Sequence, residues 1–200
     1  MTAWLEVVFH DYWHIGSGRG GGPGVDARVR RTPAGLPYVP GRTLKGVLRE
    51  AAGLANCDVV HLFGTELVAS RDGDDAVRDL EEARFRTQPG AISVGSAVLG
   101  RGAEAVAWEQ AAGQRNELAG AFVEELHRTA MEGGTAKDKS LRTLEVAVPM
   151  VLWSRLDGPP DAWPALASCL PLVTAIGGGK RRGLGRVELT LHVDENGGDA

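Results

Sequence analysis

Apolar residues recur along this chain in a few short, separated patterns, and those patterns predict its elements. "AWLEVVFHDY" (3–12) has the β-branched and aromatic character of a first strand, with imperfect alternation. In "TLKGVLREAAGLA" (43–55), Leu44, Val47, Leu48 and Ala51 fall on one helical face, Lys45 and Arg49 share another at i,i+4, and Thr43 stands as the cap. "GAISVGSAVLG" (90–100) predicts a strand, and 103–131 a helical region interrupted near Gly113. "LRTLEVAVPMVLWSRL" (141–156) is the clearest long strand, and 161–176 a helix that Pro164 starts, Pro171 kinks and Gly177 ends. "LGRVELTLHV" (184–193) alternates well and predicts a closing strand. The order β-α-β-α-β-α-β predicts a mixed chain, compatible with an antiparallel sheet carrying its helices on one face.

Between these elements lie two stretches of another kind. "HIGSGRGGGPGVDARVRRTPAGLP" (14–37) is long for a connection in a compact domain, and "GGGKRRGLGRV" (177–187) sets cations among glycines. The chain holds 28 glycines in 200 residues, about twice the usual share of roughly 7%. With 43% hydrophobic and 24% charged residues it is otherwise globular in composition, and its length predicts one domain (1–194) followed by a flexible acidic tail (195–200). The first apolar stretch contains Glu6 and Asp11 and has no basic lead, and no run reaches the roughly 18 apolar residues of a membrane span. Cys57 and Cys169 have no CxxC or zinc spacing. The expectation is a reduced, soluble, cytoplasmic protein without a membrane partner.

Net charge is −4, but the charge is segregated. Arg19, Arg28, Arg30, Arg31, Arg42, Lys45 and Arg49 lie between positions 16 and 50 against Asp26 and Glu50 alone. Lys180, Arg181, Arg182 and Arg186 form a second cluster, while acid gathers at 71–84. Such segregation suits one face for a polyanion and another for solvent. A mononucleotide loop does not fit. Thr174 occupies the first glycine position of a Walker motif and Arg181 its hydroxyl position, and the loop follows a predicted helix rather than a strand. The dinucleotide fingerprint fails as well, because Gly179 to Gly183 is one residue too long. Glycines that admit backbone N–H groups, next to cations that neutralise charge, still suit a polynucleotide backbone.

"HIGSG" (14–18), an Asp in the following glycine-rich loop, "LPYVPGRTLKGVLREAA" (36–52), "LFG" (62–64) and "GGGKRRGLGRVEL" (177–189), in that order and almost end to end, resemble the RAMP superfamily of CRISPR RNA-binding proteins. "TAKDKSLRTLEV" (135–146) resembles the segment that type III backbone subunits place before a long strand. The resemblance implies an α+β fold, a modified RNA-recognition-motif (ferredoxin-like) core with long inserted loops. It also implies a type III effector subunit whose partners are guide (CRISPR) RNA, target RNA, further copies of the chain and other type III subunits.

By the same resemblance Arg42 and Lys45 meet guide phosphates, with Arg42 where the family usually has serine. A helix N-terminus at Thr43 would add its free amides to that contact. RNA contact is further expected from Arg19, Arg28, Arg30 and Arg49, from Lys137 in the polar loop "GGTAKDKS", and from Gly178, Gly179, Lys180, Arg181, Arg182 and Arg186. His14 is expected to be structural or close to the guide. The tryptophans are expected to pack rather than to stack on bases, with Trp13, at the base of the loop, the one placed to reach a base. Asp26 corresponds to the aspartate of target-cleaving members, with Ala27 after it where asparagine is frequent. It would hold a divalent metal, Mg²⁺ or Mn²⁺, and position a ribose 2′-hydroxyl for attack on its own phosphate. Two other readings stay open: a guide-holding subunit in which Asp26 is a turn former or salt-bridge partner of Arg28 or Arg30, and a metal-independent guide-processing endoribonuclease using His14.

Overall fold

A computed structural model describes residues 1–18, 24–65, 87–129, 131–132, 135–136 and 141–194. Arg19, Lys137, the acidic stretch 71–84 and the tail 195–200 lie outside them. In chain order the elements are β1 (Thr2–Phe9), α1 (Gly41–Leu54), α2 (Val59–Phe63), β2 (Ser93–Val94), α3 (Ala103–Gln114), α4 (Asn116–Gly120), β3 (Val123–Arg128), β4 (Met131–Glu132), β5 (Thr135–Ala136), β6 (Arg142–Ala147), β7 (Val151–Asp157), α5 (Ala162–Cys169) and β8 (Val187–Val193). Among the described residues no helix is long and apolar enough to cross a membrane.

The main sheet has the order β2-β7-β1-β8, antiparallel throughout. With its two packed helices it runs β1-α1-β2-β7-α5-β8, the split βαβ arrangement of a ferredoxin-like core. Alternation in β1 turns Ala3, Leu5, Val7 and Phe9 to one face, where Leu152 and Leu156 of β7 and Val187 and Leu189 of β8 join them. Leu44, Leu48, Ala51 and Ala52 of α1 and Trp163, Leu166 and Cys169 of α5 cover that face. Each fully buried leucine contributes about 1.5–3 kcal/mol. Burial also pushes the Cys169 thiol up to about 11, which leaves it an inert apolar filler. Ser154, buried on the same face, donates to the Gly95 carbonyl at 2.8 Å and ties the β2 edge to β7.

Three expectations are corrected. The long strand over 141–156 is two strands in different sheets, broken around Pro149, which brings no N–H to a ladder. The helical region over 103–131 ends at Gly120, and "VEELHR" becomes β3, because β6 needs an antiparallel partner and pairs it from Val123↔Ala147 to Arg128↔Arg142. Helix α1 begins at Gly41 rather than Thr43. Its cap position is Pro40, which has no capping side chain, and the Gly41 amide donates instead to Ser96 Oγ at 3.1 Å. Pro171 acts as expected: α5 stops at Cys169 and the chain continues as a 3₁₀ turn over Leu170–Leu172.

Leu48 is fully buried between α1 and the sheet. Leu48→Ala is expected to lower stability by about 2–5 kcal/mol, read from the shift of the urea unfolding midpoint at unchanged slope.

Candidate nucleic-acid interface

The candidate site is built on the second sheet. β6 has β3 along one edge only, so the backbone groups of its other edge need partners. The glycine-rich segment after β1 supplies them. Trp13 and Ala147 exchange hydrogen bonds at 3.0 and 2.8 Å, the Asp26 amide donates to Thr143 O at 2.9 Å, and the Glu145 amide donates to Ala27 O at 3.0 Å. The two limbs of the segment also pair with each other, Ser17 N to Arg28 O at 3.0 Å and Arg30 N to Ile15 O at 2.7 Å. The expected long loop is therefore a folded arm with limbs at 13–18 and 24–31.

Glu145 anchors this arm. Its carboxylate, 12% exposed, accepts from the Val29 amide at 2.8 Å and from the Arg31 guanidinium at 2.5 Å. Its carbonyl accepts from His14 Nδ1 at 2.7 Å. The His14 carbonyl in turn accepts from the Gly178 amide at 2.8 Å, so one residue joins the arm, β6 and the second glycine-rich stretch. His14 is thereby a positioning residue, and its ring packs on Gly16 and Gly178. Trp13 packs, as expected of the tryptophans. It is fully buried, stacked on Phe9 with ring centroids 4.5 Å apart, and donates from Nε1 to Val148 O, so it offers no face to a base. The hydroxyl of neighbouring Tyr12 donates to Glu124 at 2.9 Å, which pushes the phenol's pKa up.

Asp26 lies on the exposed rim of the arm, its side chain 45% accessible. Oδ2 accepts from the Thr143 amide at 2.8 Å and Oδ1 from Arg142 Nη1 at 3.2 Å. Among the described residues it forms an ion pair with Arg142 of β6. Among the described residues no three His, Cys, Asp or Glu side chains come together as a metal cage. A lone carboxylate suits a hard ion such as Mg²⁺, which keeps its waters and takes further ligands from substrate phosphates. Asp26 fits that kind of ion, and the accessible Arg142 contact is the one that must be exchanged for it.

The second stretch is a compact turn. Lys180–Arg182 form a 3₁₀ turn bracketed by Gly179 and Gly183 at φ +78° and +77°, a conformation that glycine adopts at little cost. Gly185 is required for closeness as well, since a Cβ there would lie 2.1 Å from Ile176 O. These glycines set the shape of the turn, and the shape turns three cations to solvent.

Which cations remain available separates the expected contacts. Arg30 donates to Ser17 O, Arg49 to Gly64 O at 2.7 Å, and Arg186 pairs with Asp11 at 3.0 Å. Arg28 is engaged too. Within the described structure the side chains of Arg42, Lys45, Lys180, Arg181 and Arg182 have no partner, and all but half-buried Lys45 are exposed; Arg115 and Arg128, outside the expected set, have none either. The amides of α1 are mostly spent: Gly41 donates to Ser96, and Thr43 and Leu44 donate to Pro40 O. Phosphate contact at this helix therefore falls to side chains rather than to Thr43's amide. Gly46 is exposed in the middle of α1, and a Cβ there would meet nothing. The fold gives no reason for a glycine at that point.

Sequence reading missed Arg142 and Glu145. The signal for Glu145 was present: an acid inside the apolar strand "TLEVAV" must be paired if the strand is buried.

A family model described as the RAMP superfamily matches residues 7–188. No curated protein matches the sequence. Among solved structures the chain is similar to one titled a type III-B Cmr-beta cryo-EM structure in the apo state, at 13% identity and TM-score 0.64, covering 96% of this chain and 97% of that one. It is also similar to a chain of a type IV-B CRISPR complex, at 13% identity and TM-score 0.58 over 100% and 94% of the two chains. A third, type III-B Cmr-beta bound to cognate target RNA, gives 10% identity and TM-score 0.60 over 96% and 97%. At these identities the likeness is one of fold.

Removing the Glu145 carboxylate leaves Arg31 and the Val29 amide without their acceptor. Glu145→Ala is expected to cost about 3–5 kcal/mol and to expose the arm to limited proteolysis between positions 24 and 31 before the rest of the chain is cut.

Proposed function

Since the chain belongs to the RAMP superfamily, we propose that it is a guide (CRISPR) RNA-binding backbone subunit of a type III effector complex, and that it cleaves target RNA paired to the guide. The observation that carries the RNA-binding part is the grouping, at the start of α1 and in the basic turn, of five cations without a partner among the described residues, Arg42, Lys45, Lys180, Arg181 and Arg182, whereas the other described arginines, Arg115 and Arg128 excepted, are engaged within the chain. A polyanion neutralises such groups with release of its counterions. Gly46 supports the same reading, because an exposed glycine inside a helix is destabilising and earns its place only where another backbone comes close.

For cleavage, Asp26 is the residue proposed to act. The Thr143 amide orients its carboxylate and the Glu145 anchor holds the limb of the arm that carries it. A divalent ion there, Mg²⁺ or Mn²⁺, would supply Lewis-acid stabilisation of charge on the phosphoryl oxygens. The ribose 2′-hydroxyl gives its proton to solvent as its oxygen bonds the adjacent phosphorus, the bond from phosphorus to the 5′-oxygen breaks, and that oxygen takes a proton from solvent, so the products end in a 2′,3′-cyclic phosphate and a 5′-hydroxyl. Partners in this reading are the guide, the target, further copies of the chain and other type III subunits. The Arg142–Asp26 contact favours a second reading, in which the chain only holds the guide and Asp26 ties the arm to β6.

Asp26→Asn keeps an acceptor for the Thr143 amide. In a guide-loaded complex it is expected to lower target cleavage about 100-fold or more with guide binding intact, and chelation of divalent ions should do the same to the parent. Unchanged cleavage would establish the second reading. Gly46→Ala is expected to raise stability by about 0.4–1 kcal/mol, seen as a higher melting temperature, while weakening guide binding in a filter assay. A gain in both would remove Gly46 from the interface.

A further inference from the structure

Beside the basic turn lies a groove of about 330 Å³, at the small end of the roughly 300–1,000 Å³ usual for ligand clefts. One wall is a flank of α1, with Val47 and Leu54, and the other is the segment that follows α5, with Leu172. Leu54 and Leu172 are 69% and 47% exposed, large apolar surfaces that the fold leaves open next to each other. Lys180, Arg181 and Glu50 bring charge of both signs to its lining. The groove is on the side of α1 away from Arg49, whose guanidinium turns to Gly64 near the end of α2.

We propose that this groove is a nucleotide site, in which the base of one ribonucleotide of the bound RNA lies on Val47, Leu54 and Leu172 while its phosphate is held by Lys180 and Arg181. The inference rests on the RNA-binding reading and adds a base subsite to it. The occupant follows from the charges of the lining. An acidic peptide could use the two cations but would set its carboxylates against Glu50. A nucleotide answers all three kinds of lining, with an anion for the cations, an apolar planar body for the leucines, and N–H donors on the edge of the base for Glu50. The carboxylate of Glu50 accepts such donors, and it favours the exocyclic amines of cytosine and adenine over the carbonyl edge of uracil. The cations need no freeing from intramolecular pairs, because Lys180 and Arg181 have none among the described residues.

The test uses the full chain and fluorescein-labelled single-stranded RNA of about eight nucleotides, as oligo(A), oligo(C), oligo(U) and an abasic strand with the same phosphates, read by anisotropy. The parent is expected to bind oligo(A) and oligo(C) about tenfold more tightly than the abasic strand, the lower range of what one held base contributes. The double variant Leu54→Ser, Leu172→Ser changes only exposed positions, and its melting curve verifies that it folds. It should lose the tenfold margin while binding the abasic strand like the parent. Lys180→Gln should weaken all four probes alike, and Glu50→Gln should narrow the preference for oligo(A) and oligo(C) over oligo(U). If the double variant binds every probe as the parent does, the base subsite is overturned while RNA binding stands. Loss of subunit assembly with RNA affinities unchanged would assign the groove to a protein partner, and also overturns it. A parent that binds none of the four probes overturns the RNA-binding reading together with the inference.

Discussion

A strand edge cannot be left with its amides and carbonyls dry, and in this molecule that requirement organises the candidate site. β6 is paired by β3 on one side, and the segment between Trp13 and Val29 folds back to bond the other. Once that pairing is made, the position of nearly every residue of interest follows. Asp26 is held by an amide of β6, His14 by a carbonyl of β6, and the basic turn by the carbonyl of His14. Glu145 adds charge to this backbone frame. Its pairing with Arg31 need contribute little net stability, yet the pair cannot be broken cheaply, because a largely desolvated carboxylate or guanidinium would be left alone.

The same frame divides the basic residues into two classes. Arg30, Arg31, Arg49, Arg142 and Arg186 are bonded to carbonyls or carboxylates of the chain, and most of their charge is answered internally. Exposed pairs such as Arg186–Asp11 are weak enough to exchange for a phosphate, but each exchange returns part of what it gains. The cations of the 3₁₀ turn and the start of α1 carry no such cost. α1 also separates surfaces that a count of charges would merge: Arg49 reaches toward α2 on one flank, while Val47 and Leu54 face the basic turn on the other. Charge clustering in sequence is thus partly a matter of folding and only partly of binding.

Several features beside the proposed RNA surface bring no return in folding stability. Gly46 weakens an exposed helix, Leu54 and Leu172 leave apolar area in water, and three cations stand adjacent in one turn. In the main core the levels agree: burial alternates along β1, α1 and α5 bury one face each, and Pro171 ends a helix where it should.

Periodicity alone determined the core elements here. The alternation of β1 and β8, the apolar face of α1 and the break at Pro171 are local properties, and local properties are what hydrophobic spacing records. The motif order in turn identified the RAMP superfamily and with it the ferredoxin-like core. What the tertiary structure decided was non-local. "VEELHR" has a helix former's composition and became a strand because β6 required a partner; the run 141–156 was divided between two sheets at Pro149; Trp13 vanished into the core. The partner of Asp26 lies 116 residues away in the chain, and no spacing within the glycine-rich loop could have named Arg142. Candidate site residues could be picked from the sequence by type, but whether a given cation is spent on the fold or left for a ligand depends on which distant carbonyl or carboxylate the chain brings beside it.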